Sequence, residues 1–499
     1  MRYTLLMAFA GAALVKAQAP STPATPIQHL VVIFQENVSF DHYFATYPNA
    51  ANSTDGEPVF TPAPNSPSIN GLTPALLTHN PNSVQPFRLP RSQNAICDQD
   101  HDYGDEQKAY NGGAVNMFVE VLGSPGGDCG SAGPGMVMSY YDGNTITAIW
   151  NYAQNYAMSD NFFSTVFGPS TLGHLNLVSG QTHGATPVNG APPILSDTLV
   201  GDARPAYDDC IPANAATVSM AGPNVGDLLN AQGITWGWFA GGFRADSFNP
   251  DGTAVCSETH AVPQGLTQPD YVANHEPFQF YQSTANPHHL PPTSAGMIGQ
   301  SDQANHQYDI SDFFSALANG NLPAVSFIKA RAFEDGHAGY SDPLDEQSFL
   351  VNVINVIQQS QCWNSTAVVL TYDDSDGWYD HVMPPIINGS GTSKDQLNGA
   401  GVCGAVNSTG YQGRCGYGTR LPLLVISPYS RVNYVDHSIT DQSSILRFIE
   451  DNWNLGRIGD QSFDDLAGSL MGMFSFGNSG NASTLILDPA TGQPAVDFQ

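Results

Sequence analysis

Ala367-Val-Val-Leu-Thr-Tyr372, followed at once by Asp373-Asp374, decides how the chain is read. A continuous apolar run of this length fits a strand buried on both faces, as in a parallel sheet, better than an amphipathic helix. Two further runs share the form. His29-Leu-Val-Val-Ile-Phe34 ends in Gln35-Glu36-Asn37, and Leu421-Pro-Leu-Leu-Val-Ile426 ends in Ser427-Pro428. Between them lie patterns at helical spacing, Ser348 to Gln359 and Gln442 to Trp453, the second opening with polar capping residues. Strands alternating with helices give an α/β fold: a central, mostly parallel sheet flanked by helices, with ligands beyond the carboxyl ends of the strands. The polar residues closing the three runs occupy those ends. Acidic clusters from distant parts of the chain are therefore expected to meet at one site.

Working outward, only 12% of the 499 residues are charged, while Gly (49) and Pro (36) are plentiful, which predicts long loops. The net charge of −30 excludes a nucleic-acid partner and electrostatic docking on anionic membranes. Arg2, the apolar stretch Leu5 to Val15 and Ala17-Gln18-Ala19 read as a signal peptide over residues 1–19, so the mature protein is expected to be secreted or cell-wall associated. No later run is long enough for an integral membrane segment. Residues 20–26 read as a flexible leader, 27–460 as one catalytic domain containing a loop-rich insertion over 186–323, and 461–499 as a C-terminal extension. Seven cysteines suggest the local pairs Cys97/Cys129, Cys210/Cys256 and Cys403/Cys415, leaving Cys362 free. Glycosylation sequons stand at Asn37, Asn52, Asn364, Asn388, Asn407 and Asn481.

The strand ends carry the chemistry. Glu36-Asn37 and Asp373-Asp374 offer three carboxylates and an amide, the oxygen donors a hard divalent cation takes. The second pair opens Asp373-Asp374-Ser-Asp376-Gly-Trp-Tyr-Asp380-His381, whose like charges need a cation or donors to neutralise them. In Phe167-Gly-Pro-Ser170-Thr171-Leu-Gly-His174, a Gly-Pro turn presents a hydroxyl, and a helix starting there would offer backbone N–H groups to an anion. A serine capping a helix is the alternative reading of that segment. Histidines number 14, against 15 Lys plus Arg. His101, His275, His288 and His337 lie in polar or Gly-rich stretches, where imidazoles can donate to phosphate oxygens and protonate a leaving group.

At these motifs the chain resembles the phosphoesterase family that joins bacterial and fungal phospholipases C with respiratory-burst-inhibiting acid phosphatases. The resemblance runs from Ile27 to about Leu455 and implies an alkaline-phosphatase-like α/β core. It implies that Glu36, Asn37, Asp373 and Asp374 hold one divalent metal ion, left open among Ca, Mg, Mn, Zn and Fe, with Ser170 as ligand and nucleophile. His101, His275 and His337 would line the phosphate pocket, and Thr171, His174, Asn274 and His288 are expected to contact substrate. Asn274-His275 stands where the family often has a His pair before Glu-Pro-Phe, and Leu172-Gly173-His174 where it often has Pro-Asn-Arg. The Asp373 to His381 segment looks closer to the acid phosphatases. The leading expectation is a secreted phosphomonoesterase of acid-phosphatase type acting through a phosphoserine. The alternatives are a phospholipase C cleaving phosphatidylcholine-like diesters and, from another class, a catalytically silent metal-binding protein.

Overall fold

The computed structural model describes residues 22–53, 56–123, 130–263, 265–405, 410–477 and 482–495. Among these, nine strands form one sheet: β1 (His29–Gln35), β2 (Ala157–Phe163), β3 (Trp236–Ala240), β4 (Gln307–Asp309), β5 (Val325–Lys329), β6 (Thr366–Tyr372), β7 (Arg420–Ile426), β8 (Tyr434–Asp436) and β9 (Thr440–Asp441). Their order is β4-β3-β5-β1-β6-β7-β2-β8, with β9 also beside β2. The first five in that order run parallel.

Six helices matter to the site: α1 (Tyr103–Tyr110), α2 (Thr147–Asn155), α3 (Ser170–Ser179), α4 (Ile310–Asn319), α5 (Pro343–Gln359) and α6 (Gln442–Trp453). The pleat sorts the apolar runs between two cores. Leu30, Val32, Phe34 and Val369 pack with Leu172 and Leu175 of α3 and Ile445 and Ile449 of α6. Val31, Ile33, Val368 and Leu370 pack with Ile149 of α2, Phe313 of α4, and Leu350 and Ile354 of α5. A strand covered on both faces has no polar side, which is why β1 and β6 read as unbroken apolar runs. The helix α6 spans the expected residues. In contrast, α5 starts five residues before the expected Ser348, because Asp342 accepts from Leu344 and Asp345 N–H groups and Pro343 takes the first helical position.

Three expectations need correction. The Leu421–Ile426 run is a strand, but β7 is antiparallel to β6 and to β2. Leu423 of β7 pairs with Thr371 and Ile426 with Val368, so the chain enters β7 from the carboxyl edge of β6. Ser427 therefore lies at the opposite edge, its Oγ donating to Thr366 O (2.8 Å), and Arg420 takes the place near the site. Secondly, 186–323 is more than a loop-rich insertion. It supplies β3, β4 and α4 to the central sheet and its packing. Their signal is weak because the strands are short, three and five residues. Thirdly, the segment read as a flexible leader is docked at its end, where Ala24 N donates to Asn452 O and Thr25 Oγ1 to Asn452 Oδ1 (both 2.7 Å). The expected signal peptide lies outside the described residues.

Cys210–Cys256 and Cys403–Cys415 are bonded and Cys362 is free, as expected. Cys97 is disulfide-bonded, while Cys129 lies outside the described residues. Of the sequons, Asn37 and Asn388 are buried, Asn52 and Asn364 are exposed, and Asn407 and Asn481 lie outside the described residues. No helix among the described residues is long and apolar enough to cross a membrane. Residues 485–487 of the C-terminal extension lie along α5, where Gln358 and Asn355 side chains accept from Leu485 and Leu487 N–H groups.

Candidate active site

Gln35 pairs with Tyr372 at the last rung of the β1–β6 ladder, so Glu36-Asn37 and Asp373-Asp374 leave the sheet side by side. Asn37 adopts a left-handed backbone (φ 57°), and its N–H donates to Asp373 Oδ1 (3.1 Å), which locks the two turns together. Ser170 opens α3 directly above them. Its Oγ lies 3.2 Å from Glu36 Oε2, 3.1 Å from Asp374 Oδ2 and 3.5 Å from Asn37 Oδ1. The close approach of α3 requires Gly173, where an added Cβ would stand 2.2 Å from Asp373 O.

Two buried residues not singled out from the sequence hold this arrangement. Glu106 of α1 accepts from Gly168 N (2.7 Å), two residues before Ser170, and from Ser375 Oγ (2.5 Å), just after Asp374. Burial pushes its carboxyl up to about 7 against the pull of those hydrogen bonds. Lys329 ends β5 and sets its ammonium 3.2 Å from Glu36 Oε1 and 3.0 Å from Asp335 Oδ2. A lone lysine closing a short apolar strand gave no distinguishing signal for the second.

The expected histidines divide. His101 and His337 lie on the Asn37 side: His101 Nε2 is 3.5 Å from Asn37 Nδ2, its Nδ1 is 3.5 Å from Asp376 Oδ1, and the His101 and His337 rings are 6.4 Å apart. Burial opposes the charged form of His101, yet Asp374 and then Asp98 raise it to about 10. His275 and His174 stack at 5.0 Å on the other side of Glu36, with His275 Nδ1 at 3.1 Å and His174 Nε2 at 3.6 Å from Oε1. Burial keeps both neutral, lowering His174 to about 4. His174 thus lies beneath the carboxylates, flanked by Glu36 and Asp373 (3.7 Å), and not on an open substrate surface. Thr171 is near the nucleophile, but both its N–H and Oγ1 are taken by Asp202 (3.0 and 2.8 Å). Asn274 is buried beside His275, with Oδ1 unpartnered. His288 is not brought to the cluster; its half-exposed ring pairs with Asp209 (2.7 Å).

The donor set fits a divalent cation. Asp373 Oδ2 and His174 Nε2 are buried without a hydrogen-bond partner. Burial first, then the Asp373 charge, push Glu36 and Asp374 well above the usual carboxylate range, a cost that a cation would reverse. With its amide turned over, Asn37 donates to Asp373 Oδ1 (3.0 Å) and Glu36 Oε2 (2.7 Å) and accepts from His337 Nε2 (3.2 Å).

The Phosphoesterase family model matches residues 27–456. Phospholipase C A of Mycobacterium tuberculosis is 23% identical over 474 residues, 92% of this chain and 79% of its own. The non-hemolytic phospholipase C of Burkholderia pseudomallei is 24% identical over 448 residues, 86% of this chain and 55% of its own. A solved protein of the alkaline phosphatase superfamily from Vibrio parahaemolyticus aligns over 88% of this chain and 71% of its own, at 10% identity and a TM-score of 0.31, a likeness too distant to bear on the reaction.

Proposed function

The chain belongs to the Phosphoesterase family and hydrolyses phosphoric esters, and from that premise we propose that it is a secreted, metal-dependent phosphodiesterase of phospholipase C type with Ser170 as nucleophile. The observation that carries the nucleophile is the Oγ of Ser170, within 3.5 Å of Glu36, Asn37 and Asp374 oxygens at the head of α3. The names of the relatives support the diester better than the phosphomonoester that the sequence put first.

Glu36, Asn37, Asp373, Asp374 and Ser170 would hold the divalent cation, which supplies Lewis-acid charge stabilisation to oxygen. Ser170 Oγ gives up its proton to a neighbouring carboxylate and attacks phosphorus in line, forming a phosphoserine ester. His101, beside Asn37 and Asp376, gives a proton to the departing alcohol oxygen. Water then releases the phosphoryl group from Ser170. The monoesterase reading keeps one observation in its favour: a cleft of about 580 Å³, lined in part by Asp202 beside Thr171, has mostly polar walls.

Diacylglycerol release from phosphatidylcholine, set against inorganic phosphate release from p-nitrophenyl phosphate, separates the two readings. Ser170→Ala is expected to lower turnover on the preferred substrate by at least ~3 kcal/mol in barrier. Near-normal turnover by Ser170→Ala combined with Thr171→Val would remove Ser170 from the mechanism.

A further inference from the structure

The strongest unassigned feature is a carboxylate held against the helix that begins with the nucleophile. Asp202 Oδ1 accepts both the N–H (3.0 Å) and the Oγ1 (2.8 Å) of Thr171, the residue after Ser170. The N-cap, Pro169, provides no side-chain acceptor, so Asp202 does the capping from another part of the chain. Amides in the first turn of a helix are natural seats for an anion. Here the one next to the nucleophile is already taken by a negative charge of the protein itself.

The hydrogen bonds of Asp202 go to Thr171, and among the described residues it forms no ion pair with lysine or arginine. It is exposed and lines the same cleft as Asp102 and Asp105, which Lys108 and Lys394 only partly balance. Through its bonds to Thr171 it is held one residue from Ser170, at the nucleophile's end of α3.

We propose that Asp202 sets the charge selectivity of the site, favouring singly charged phosphodiesters over doubly charged monoesters. The inference rests on the phosphoesterase reading above and deepens it. A fixed negative charge repels a phosphate in proportion to the phosphate's own charge, so a monoester dianion meets about twice the penalty of a diester monoanion. A bound cation attracts both substrates with and without Asp202, so comparing variants isolates the contribution of this one carboxylate.

The test measures kcat/KM for bis(p-nitrophenyl) phosphate and p-nitrophenyl phosphate at about pH 8, where the monoester is doubly charged. Asp202→Asn retains an amide oxygen to cap Thr171 while losing the charge. Its monoester-to-diester ratio is expected to rise on the order of tenfold, chiefly through a lower monoester KM. Asp202→Glu keeps the charge and is expected to keep the wild-type ratio. Added salt is expected to move the ratio toward the monoester in the unmodified protein and to do so less in Asp202→Asn, which separates this carboxylate from the net charge of −30 and the bound cation. An unchanged ratio in Asp202→Asn, an equal shift in Asp202→Glu, or a salt response as large in Asp202→Asn as in the unmodified protein would each overturn the proposal. Wild-type protein that cleaves neither ester would instead bring down the phosphoesterase reading on which it stands.

Discussion

Lys329 shows how far a single residue can be read. Of the two carboxylates it serves, Glu36 was visible as an acid closing an apolar strand, because its position in sequence is also its position at the sheet edge. Lys329 was not, since one lysine after Val325-Ser-Phe-Ile looks like any strand end. Only the fold puts its buried ammonium between Glu36 and Asp335, whose charges raise its pKa despite burial. Lys329→Met leaves those two carboxylates facing each other without a cation, a loss worth ~3–5 kcal/mol for a broken buried ion pair. The expected result is a large fall in Tm in the presence of chelator. Added divalent cation should recover more of it than in the unmodified protein, because the ion takes over part of the lysine's role. Equal Tm in chelator for the two proteins would show that the ammonium stabilises nothing. Glu106 was hidden for the same reason: its two contacts, Gly168 and Ser375, are 62 and 269 residues away along the chain.

At the scale of elements, strands β1 and β6 and helix α6 were legible because each has a pattern of its own. The direction of β7 was not, since an apolar run reads the same whichever way the strand points. The residue that exposes the reversal is Arg420. Entering from the site edge, it buries its guanidinium against Asp380 and Asp41 (both 3.1 Å) and over the Phe40 ring at 4.2 Å. This clamp ties the helix after β1 and the Asp373 to Asp380 segment to the start of β7. Its energetic role is structural, because it orients the loop that carries Asp373 and Asp374. Arg420→Met is expected to cost ~3–5 kcal/mol by leaving buried Asp380 without its cation and Asp41 with His381 alone (2.6 Å), read as a lower urea midpoint. Substituting all three charges, with Asp41→Asn and Asp380→Asn added, is expected to recover much of the loss. A single variant as stable as the parent would show that the clamp contributes little. The short strands β3 and β4 mark the other limit of sequence reading, since three or five residues offer no period to detect.

Over the whole molecule, acidity and burial act together on stability. The chain carries a net charge of −30, and several carboxyls are buried where the neutral form is favoured. Burial raises Glu346 to about 8 although Tyr43 and Tyr372 donate to it at 2.7 and 2.6 Å. Glu450 is raised to about 9, first by burial and then by Asp464. These folded-state values lie above the ordinary value of 4.5, so between them the folded protein binds more protons than the unfolded chain. Their contribution is therefore complete below about pH 4.5 and is lost as pH rises through about 8 and 9. Self-repulsion of the net charge grows in the same direction. In chelator, Tm is expected to rise as pH falls from about 8.5 to about 5.5, and Glu346→Gln should flatten part of that slope. Added salt should reduce only the repulsive part. A bound cation works oppositely, since its carboxylate ligands must lose their protons to hold it, and acidification releases it. With saturating cation, the stability maximum should accordingly move to higher pH than in chelator. A maximum at the same pH in both conditions would mean that Glu36, Asp373 and Asp374 do not hold an ion.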